Sequence, residues 1–241
     1  MRIVFSRKGF DSGSGGGPSP IVNGVPISLP IPAGVASSTS YADLGLAQYV
    51  AQASRGQLGG EDLCHHDPMF LDNGVCLFGQ CGAAQTHLSN RGVGRGDVFV
   101  FFGLFAEEVS KERHHRIFGM MTVEEVSPLD PAALHAELVS HGHPHALAMH
   151  AANDTIYRGH SRLARSDRRE LRLTVPGGPV SLWAVPPWLK RVGLSYHDRA
   201  ERWLPGNRLR SVARGQEFVA DVGNRAAPRA WLKQLERWLE T

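Results

Sequence analysis

The sequence predicts an α+β domain in which a mixed or antiparallel sheet, or a small β-barrel, is flanked by helices. Three observations predict it. Asp97 to Phe105 and Arg116 to Val126 are runs of β-branched and aromatic residues joined by a charged segment, as in a long antiparallel hairpin. Helical spacing recurs at Leu44, Leu46, Ala47 and Val50, and again at Trp231, Leu235, Trp238 and Leu239. No internal repeat or clear linker divides the 241 residues, so one domain spanning 1–241 is expected.

The elements follow in order. Arg2 to Ser6 reads as a short strand. Arg7 to Pro18 is a glycine and serine run without regular structure. Pro20 to Pro32 reads as a hairpin-like stretch turning at Asn23-Gly24. A helix is expected over Asp43 to Ala53. Residues 55–82 are punctuated by glycine, and Ala83 to Asn90 reads as a short helix presenting Gln85 and His87. After the long hairpin, Asp130 caps a helix through Leu138, with Pro131 at its first position. Thr155 to Arg158, Leu171 to Val175 and Glu217 to Asp221 read as strands, and a terminal helix starts near Pro228.

Composition excludes several classes. Hydrophobic residues make up 42% and charged residues 20%, ordinary values for a globular chain. Met1 opens onto Arg2-Ile3-Val4-Phe5 without the basic and apolar regions of a secretory leader. The longest apolar stretch, Val98 to Phe105, falls far short of the roughly 18 residues of a membrane helix. Three cysteines are too few, and odd in number, for a disulfide scaffold, which points to a reducing, cytoplasmic setting and a soluble protein. Net charge is +3 but uneven: residues 1–150 hold nine Lys/Arg against fourteen Asp/Glu, and 151–241 hold seventeen against nine. Arg158, Arg162, Arg165, Arg168, Arg169 and Arg172 crowd together, either as a phosphate-neutralising face or as a solvated arginine-rich surface.

Four segments offer chemistry. The loop Ser6 to Ser19 follows a strand, is rich in backbone N–H groups and has Arg7 and Lys8 at its edge, which suits a phosphate. It has no Gly-Lys-Ser/Thr, and Pro18 and Pro20 exclude a dinucleotide fingerprint. Cys64, His65, His66, Asp67, Cys76, Cys81 and His87 are metal-ligand types, although there is no C-x2-C pair and Cys76-x4-Cys81 is a loose spacing. Within that set His65, Asp67 and His87 serve equally well as acid–base or orienting groups. His141, His143 and His145 alternate, with His150 and His160 nearby, and an extended segment would aim the three one way. The Gly96-Asp97 turn feeding the apolar hairpin is similar to small PUA/EVE-like barrels that hold a base in a pocket.

Read together, several segments resemble the nucleotide modification associated domain 3 family. Ser6 to Asp11, Pro18 to Ile21 and Ser28 to Pro32 look like its opening. His65-x-Asp67-Pro68, Phe78 to Leu88 and the Gly-Asp hairpin look like its middle, and Asn153 to Tyr157 with Gly215 to Val219 like its C-terminal part. The resemblance covers essentially the whole chain, in order. It implies a part in base or nucleotide modification, associated with mobile-element and phage-type systems. It also implies site residues: Asp11, His65, Asp67 and His87 as catalytic groups, and Arg7, Lys8, Ser12, Gln80 and Gln85 as substrate-binding ones. In one departure, Met69-Phe70-Leu71-Asp72 follows Pro68 where an acidic residue is expected directly.

Three functions are therefore weighed: an enzyme modifying bases or nucleotides, a non-enzymatic modified-base reader, and a small metal-dependent hydrolase. A nucleic acid or nucleotide is the expected partner and no membrane is. No metal ligand is assigned, and no cofactor motif identifies itself. All of it assumes that the acid, imidazole and amide groups of the first 90 residues surround one anion-accepting cleft beside the glycine loop.

Overall fold

In a computed structural model, the chain is described except for residues 34–36, 108, 131, 134, 148–151 and 214–215. A large curled sheet forms its centre. The strands are β1 (Arg2–Arg7), β2 (Ser19–Val22), β3 (Val25–Pro26), β4 (Ile31–Pro32), β5 (Cys64–His65), β6 (Met69–Phe70), β7 (Val75–Gln80), β8 (Val98–Ala106), β9 (Arg113–Pro128), β10 (Thr155–Leu163), β11 (Leu182–Ala184), β12 (Trp203–Leu204), β13 (Arg208–Arg210) and β14 (Glu217–Asp221). The helices are α1 (Ala47–Ala53), α2 (Gly82–Asn90), α3 (Ala136–Ser140), α4 (Pro144–Leu147), α5 (Pro187–Val192) and α6 (Ala226–Glu240).

The main sheet runs β14-β1-β8-β9-β10-β7-β6, with the β2–β3 hairpin joined to β8. It is mixed: β1 and β2 run parallel to β8 and the remaining pairs are antiparallel. Side chains alternate across a strand, and here both faces are buried. Ile3, Phe5, Val98, Val100 and Phe102 face a core closed by α5, α6 and Trp183. Val4, Phe99, Phe101, Phe78, Tyr157 and Leu88 fill the other, under α2. That is why Val98 to Phe102 reads as an unbroken apolar run rather than an alternating one. The curl has local causes. Register shifts fall between Phe101 and Phe102 and between Arg158 and Gly159, and a bulge bends a strand. Gly159 is required there, because a Cβ would lie 1.9 Å from the Thr122 carbonyl oxygen.

This is the α+β class expected, in its mixed-sheet form. The 98–106/113–128 hairpin, β14 and α6 lie where the sequence placed them. Other elements differ. The helix expected over 130–138 is α3 at 136–140: the Asp130 side chain accepts the Ala132 N–H at 2.8 Å and holds a turn instead. Pro131 lies outside the described residues. Leu171 to Val175 is not a strand: a 3₁₀ turn occupies Arg169–Leu171, and only single bridges reach Arg172 and Thr174. Strands β5, β6 and β7, inside the glycine-punctuated stretch, were not expected. Among the described residues no helix is long and apolar enough to cross a membrane.

Two histidines on β9, His114 buried and His115 half-buried, couple this fold to pH. His115 accepts the Trp183 indole N–H on Nδ1 at 3.0 Å, so its neutral form is built in. Burial, then the Arg7 charge, pushes its pKa down to about 3, and burial pushes His114 down to about 4. The unfolded chain titrates these groups near ~6.5, so between that value and the folded ones it binds more protons than the native state. Stability is therefore full above about pH 6.5 and falls as pH drops toward the folded values. The urea midpoint is expected to fall from pH 7 to pH 5, and less steeply in His115→Gln. A variant profile as steep as the parent's would refute this.

Candidate functional site

The ends of strands distant in the sheet order meet at one edge. β1 ends at Arg7, β7 ends at Gln80, β14 starts at Glu217, and Asp154 immediately precedes β10. The curl brings the first three together on the Glu217 carboxylate, which is 1% exposed. Its Oε1 accepts hydrogen bonds from Ser6 Oγ at 3.0 Å, Lys8 Nζ at 3.1 Å and Gln80 Nε2 at 2.8 Å. Beside this knot opens a cleft of about 490 Å³, lined by Arg7, Lys8, Asp11, His65, Asp67, Gln80, Cys81, His145 and Gln216 among others.

One wall is cationic. The Arg7 guanidinium donates to the carbonyls of Ala213 (2.8 Å) and Val212 (3.0 Å) and lies against the rings of Phe102 and Phe218. Burial lowers its pKa, and Asp11 opposes that. Lys8 Nζ stands 4.3 Å from the Phe78 ring centroid. An ammonium has three donors, so its bond to Glu217 leaves capacity for a ligand.

The opposite wall is acid and imidazole. The short β4–β5 ladder, pairing Ile31 with His65, holds His65 in place, and Asp67 follows in the link to β6. The Gly79 N–H donates to Asp67 Oδ1 at 3.0 Å. Nε2 of His65 and Nε2 of His145 each lie 3.8 Å from Asp67 Oδ2, and His143 Nε2 lies 3.5 Å from Oδ1. Burial pushes the Asp67 pKa upward, but the facing imidazoles of His143, His65 and His145 outweigh it and hold this carboxyl well below the usual range. Behind His145, Nδ1 meets Asp154 Oδ1 at 2.5 Å, both side chains being buried. An ionised carboxylate only accepts, so His145 carries a proton on Nδ1, and this bond sets the orientation in which Nε2 faces Asp67. Gly79 makes room for that ring: a Cβ there would sit 2.2 Å from His145 Cδ2.

The glycine loop is pegged rather than loose. Phe10 is fully buried with Leu29, Tyr41, Val50 and Cys64, and Gly15, at φ +91°, packs flat enough on its ring that a Cβ would come within 2.5 Å. Asp11 Oδ1 accepts the N–H groups of Gly13 (2.7 Å) and Ser14 (2.9 Å). Its carboxylate thus shapes the turn as well as facing the cleft.

Arg7, Lys8, Asp11, His65, Asp67 and Gln80 therefore share the cleft, whereas Ser12, Gln85 and His87 do not line it. Ser12 is exposed on the loop. Gln85 is buried, accepting from Tyr157 Oη at 3.0 Å and donating to Ser89 Oγ at 3.2 Å. His87 is farther along α2, bonded to Ser195 Oγ at 3.0 Å and stacked on Tyr196. Gln80 is committed at both ends of its amide, to Glu217 and to the Cys81 N–H. Cys64 and Cys76 are buried in separate apolar clusters with thiols shifted upward by burial, and among the described residues no cysteine joins a cluster of metal-ligand atoms. The alternating histidines do not share a face, because Pro144 opens a helical turn: His143 and His145 point inward and His141 is exposed. His160 is exposed on β10 beside Arg162, and His150 lies outside the described residues. Much of the arginine cluster is paired locally: Arg172 with Glu112 and Glu107, Arg162 with Glu240, Arg158 with Glu137, and Arg168 with Glu170.

Sequence reasoning missed Asp154, Glu217 and Gln216 as functional candidates. All three lie inside the segments that carry the family resemblance, and for Asp154 and Glu217 a lone acidic residue at the tip of an apolar strand was the available signal. A family model described as nucleotide modification associated domain 3 matches residues 2–221. No curated protein and no solved structure matches the chain significantly.

Gly79→Ala tests the packing directly. The added methyl is expected to drive the His145 ring off Asp67 and Asp154, changing the imidazole NMR signals of His145 while circular dichroism stays native. Unchanged His145 resonances would show that the ring does not depend on the missing side chain.

Proposed function

Because the chain belongs to the nucleotide modification associated domain 3 family, we propose that the cleft takes a nucleotide, free or within nucleic acid, and acts as an enzyme on its base or on an intermediate of base modification. One observation carries this reading: the cationic wall of Arg7 and Lys8 faces the acid–imidazole wall of His65, Asp67 and His145 across a single cleft. Its volume of about 490 Å³ suits a small-molecule ligand.

The phosphate lies toward Lys8 and Arg7, with guanidinium and ammonium donors to its oxygens. The nucleoside end then extends toward His145. There Nε2 takes a proton from the reacting group, and the imidazolium formed is stabilised by Asp154 behind and Asp67 beside it. Gln216, on the lining, offers an amide that donates to and accepts from a base edge. We place the activity in the cytoplasm, in keeping with three free thiols, and within one domain covering 1–241. A pure reader would need the cationic wall but not the buried Asp154–His145–Asp67 row, so the enzyme reading stands ahead of it.

The test is incubation of the full chain with nucleotides and with oligonucleotides carrying modified bases, followed by mass spectrometry of the nucleosides. Conversion is expected, with His145→Ala and Asp67→Asn lowering turnover by about 10²–10⁴-fold and Lys8→Met raising KM. Salt-sensitive binding without chemical change would instead identify a reader.

A further inference from the structure

The geometry points to a divalent metal site formed by His65 Nε2, Asp67 and His145 Nε2, taking a first-row transition ion in preference to magnesium or calcium. It rests on the cleft reading above and replaces one role in it: a lone pair given to an ion takes no proton, so with the ion bound His145 serves as ligand and not as base. The three donor groups present ligand atoms all within 4.8 Å of one another, and both imidazole nitrogens stand 3.8 Å from Asp67 Oδ2. Bonds of about 2.1 Å place tetrahedral donors about 3.4 Å apart. The set draws in to that spacing by small ring rotations, and His65, with 23% of its side chain exposed, has room to make one.

The surrounding bonds aim these donors. Asp154 fixes the His145 tautomer so that Nε2 offers a lone pair, and a carboxylate behind an imidazole ligand is a recurrent feature of metal centres. His143 has a different part. Its Nδ1 accepts the His145 backbone N–H at 3.3 Å, so its proton sits on Nε2. That nitrogen is fully buried and faces Asp67 Oδ1 at 3.5 Å. Together with the Gly79 N–H it occupies the Oδ1 side and leaves Oδ2 toward the two remaining imidazoles. His143 is thus a positioning residue and not a ligand.

Charge gives an independent reason. The fixed charges of the cleft and of the carboxylates against it are Arg7 and Lys8 on one side and Asp11, Asp67, Glu217 and Asp154 on the other. That balance of −2 favours a cation beside Asp67, and a divalent ion there brings it to zero. Two imidazoles and one carboxylate suit iron, manganese, cobalt or zinc, while magnesium and calcium prefer all-oxygen sites.

Chelator-treated full-length protein titrated with Co(II), without nucleotide, tests this. One equivalent is expected to bind with a visible ligand-field absorption, and magnesium in excess is expected not to displace it. His65→Ala and His145→Ala are expected to abolish the band. Asp154→Asn is expected to weaken binding by about 10–100-fold, and His87→Ala, outside the cleft, to leave it unchanged. His65 is partly exposed, so its variant keeps the test decisive should a buried one fail to fold. No uptake of Co(II), Mn(II) or Zn(II) at about 1 mM, or uptake unaffected by His65→Ala, overturns the site. Failure here leaves nucleotide conversion standing, and metal uptake without conversion does the reverse.

Discussion

The carboxylate of Glu217 is the constraint on which the site depends. A buried charge is stable only when paired and hydrogen-bonded, and three donors from two strands and a following residue converge on one of its oxygens. Ser6 lies near the end of β1, Lys8 just beyond it, and Gln80 at the end of β7. Three strands, β8, β9 and β10, lie between those two in the sheet. A flat sheet would hold them well apart. The bulges at Phe101/Phe102 and Arg158/Gly159 let the sheet curl, and Glu217 fastens the rim where the curl brings its ends together.

From that fastening the two walls take their separate characters. Lys8 is positioned by Glu217 on one side, and Gln80 on the other carries the chain into α2. Gly79, next to Gln80, serves the acid wall twice: its N–H holds Asp67, and its missing side chain seats the His145 ring. Arg7 and His65 thus lie at strand ends, and the adjoining Lys8 and Asp67 are tied back to strand residues by Glu217 and by the Gly79 N–H.

Much of this was legible in the residues. The unbroken run from Val98 to Phe102 marked the central strands because both sheet faces are covered, and Trp231, Leu235, Trp238 and Leu239 marked the last helix because only one of its faces is buried. Arg7, Lys8, His65 and Asp67 were readable as candidates from residue type. The short strands β4 to β6 were not, since two-residue ladders carry no periodicity. Nor was the membership of His145: alternation with His141 and His143 suggested an extended segment, and the turn begun by Pro144 reversed that geometry. His87 and Gln85 misled for the opposite reason. Their polarity satisfies partners inside the fold, Ser195 and Tyr157, rather than facing the cleft.

The pegging of the glycine loop by Phe10 has a consequence for ligand exchange. A loop already anchored under Gly15 and tied by Asp11 loses little conformational entropy when a ligand arrives. The rim of the cleft is thus preorganised: a ligand entering there meets a segment already in place.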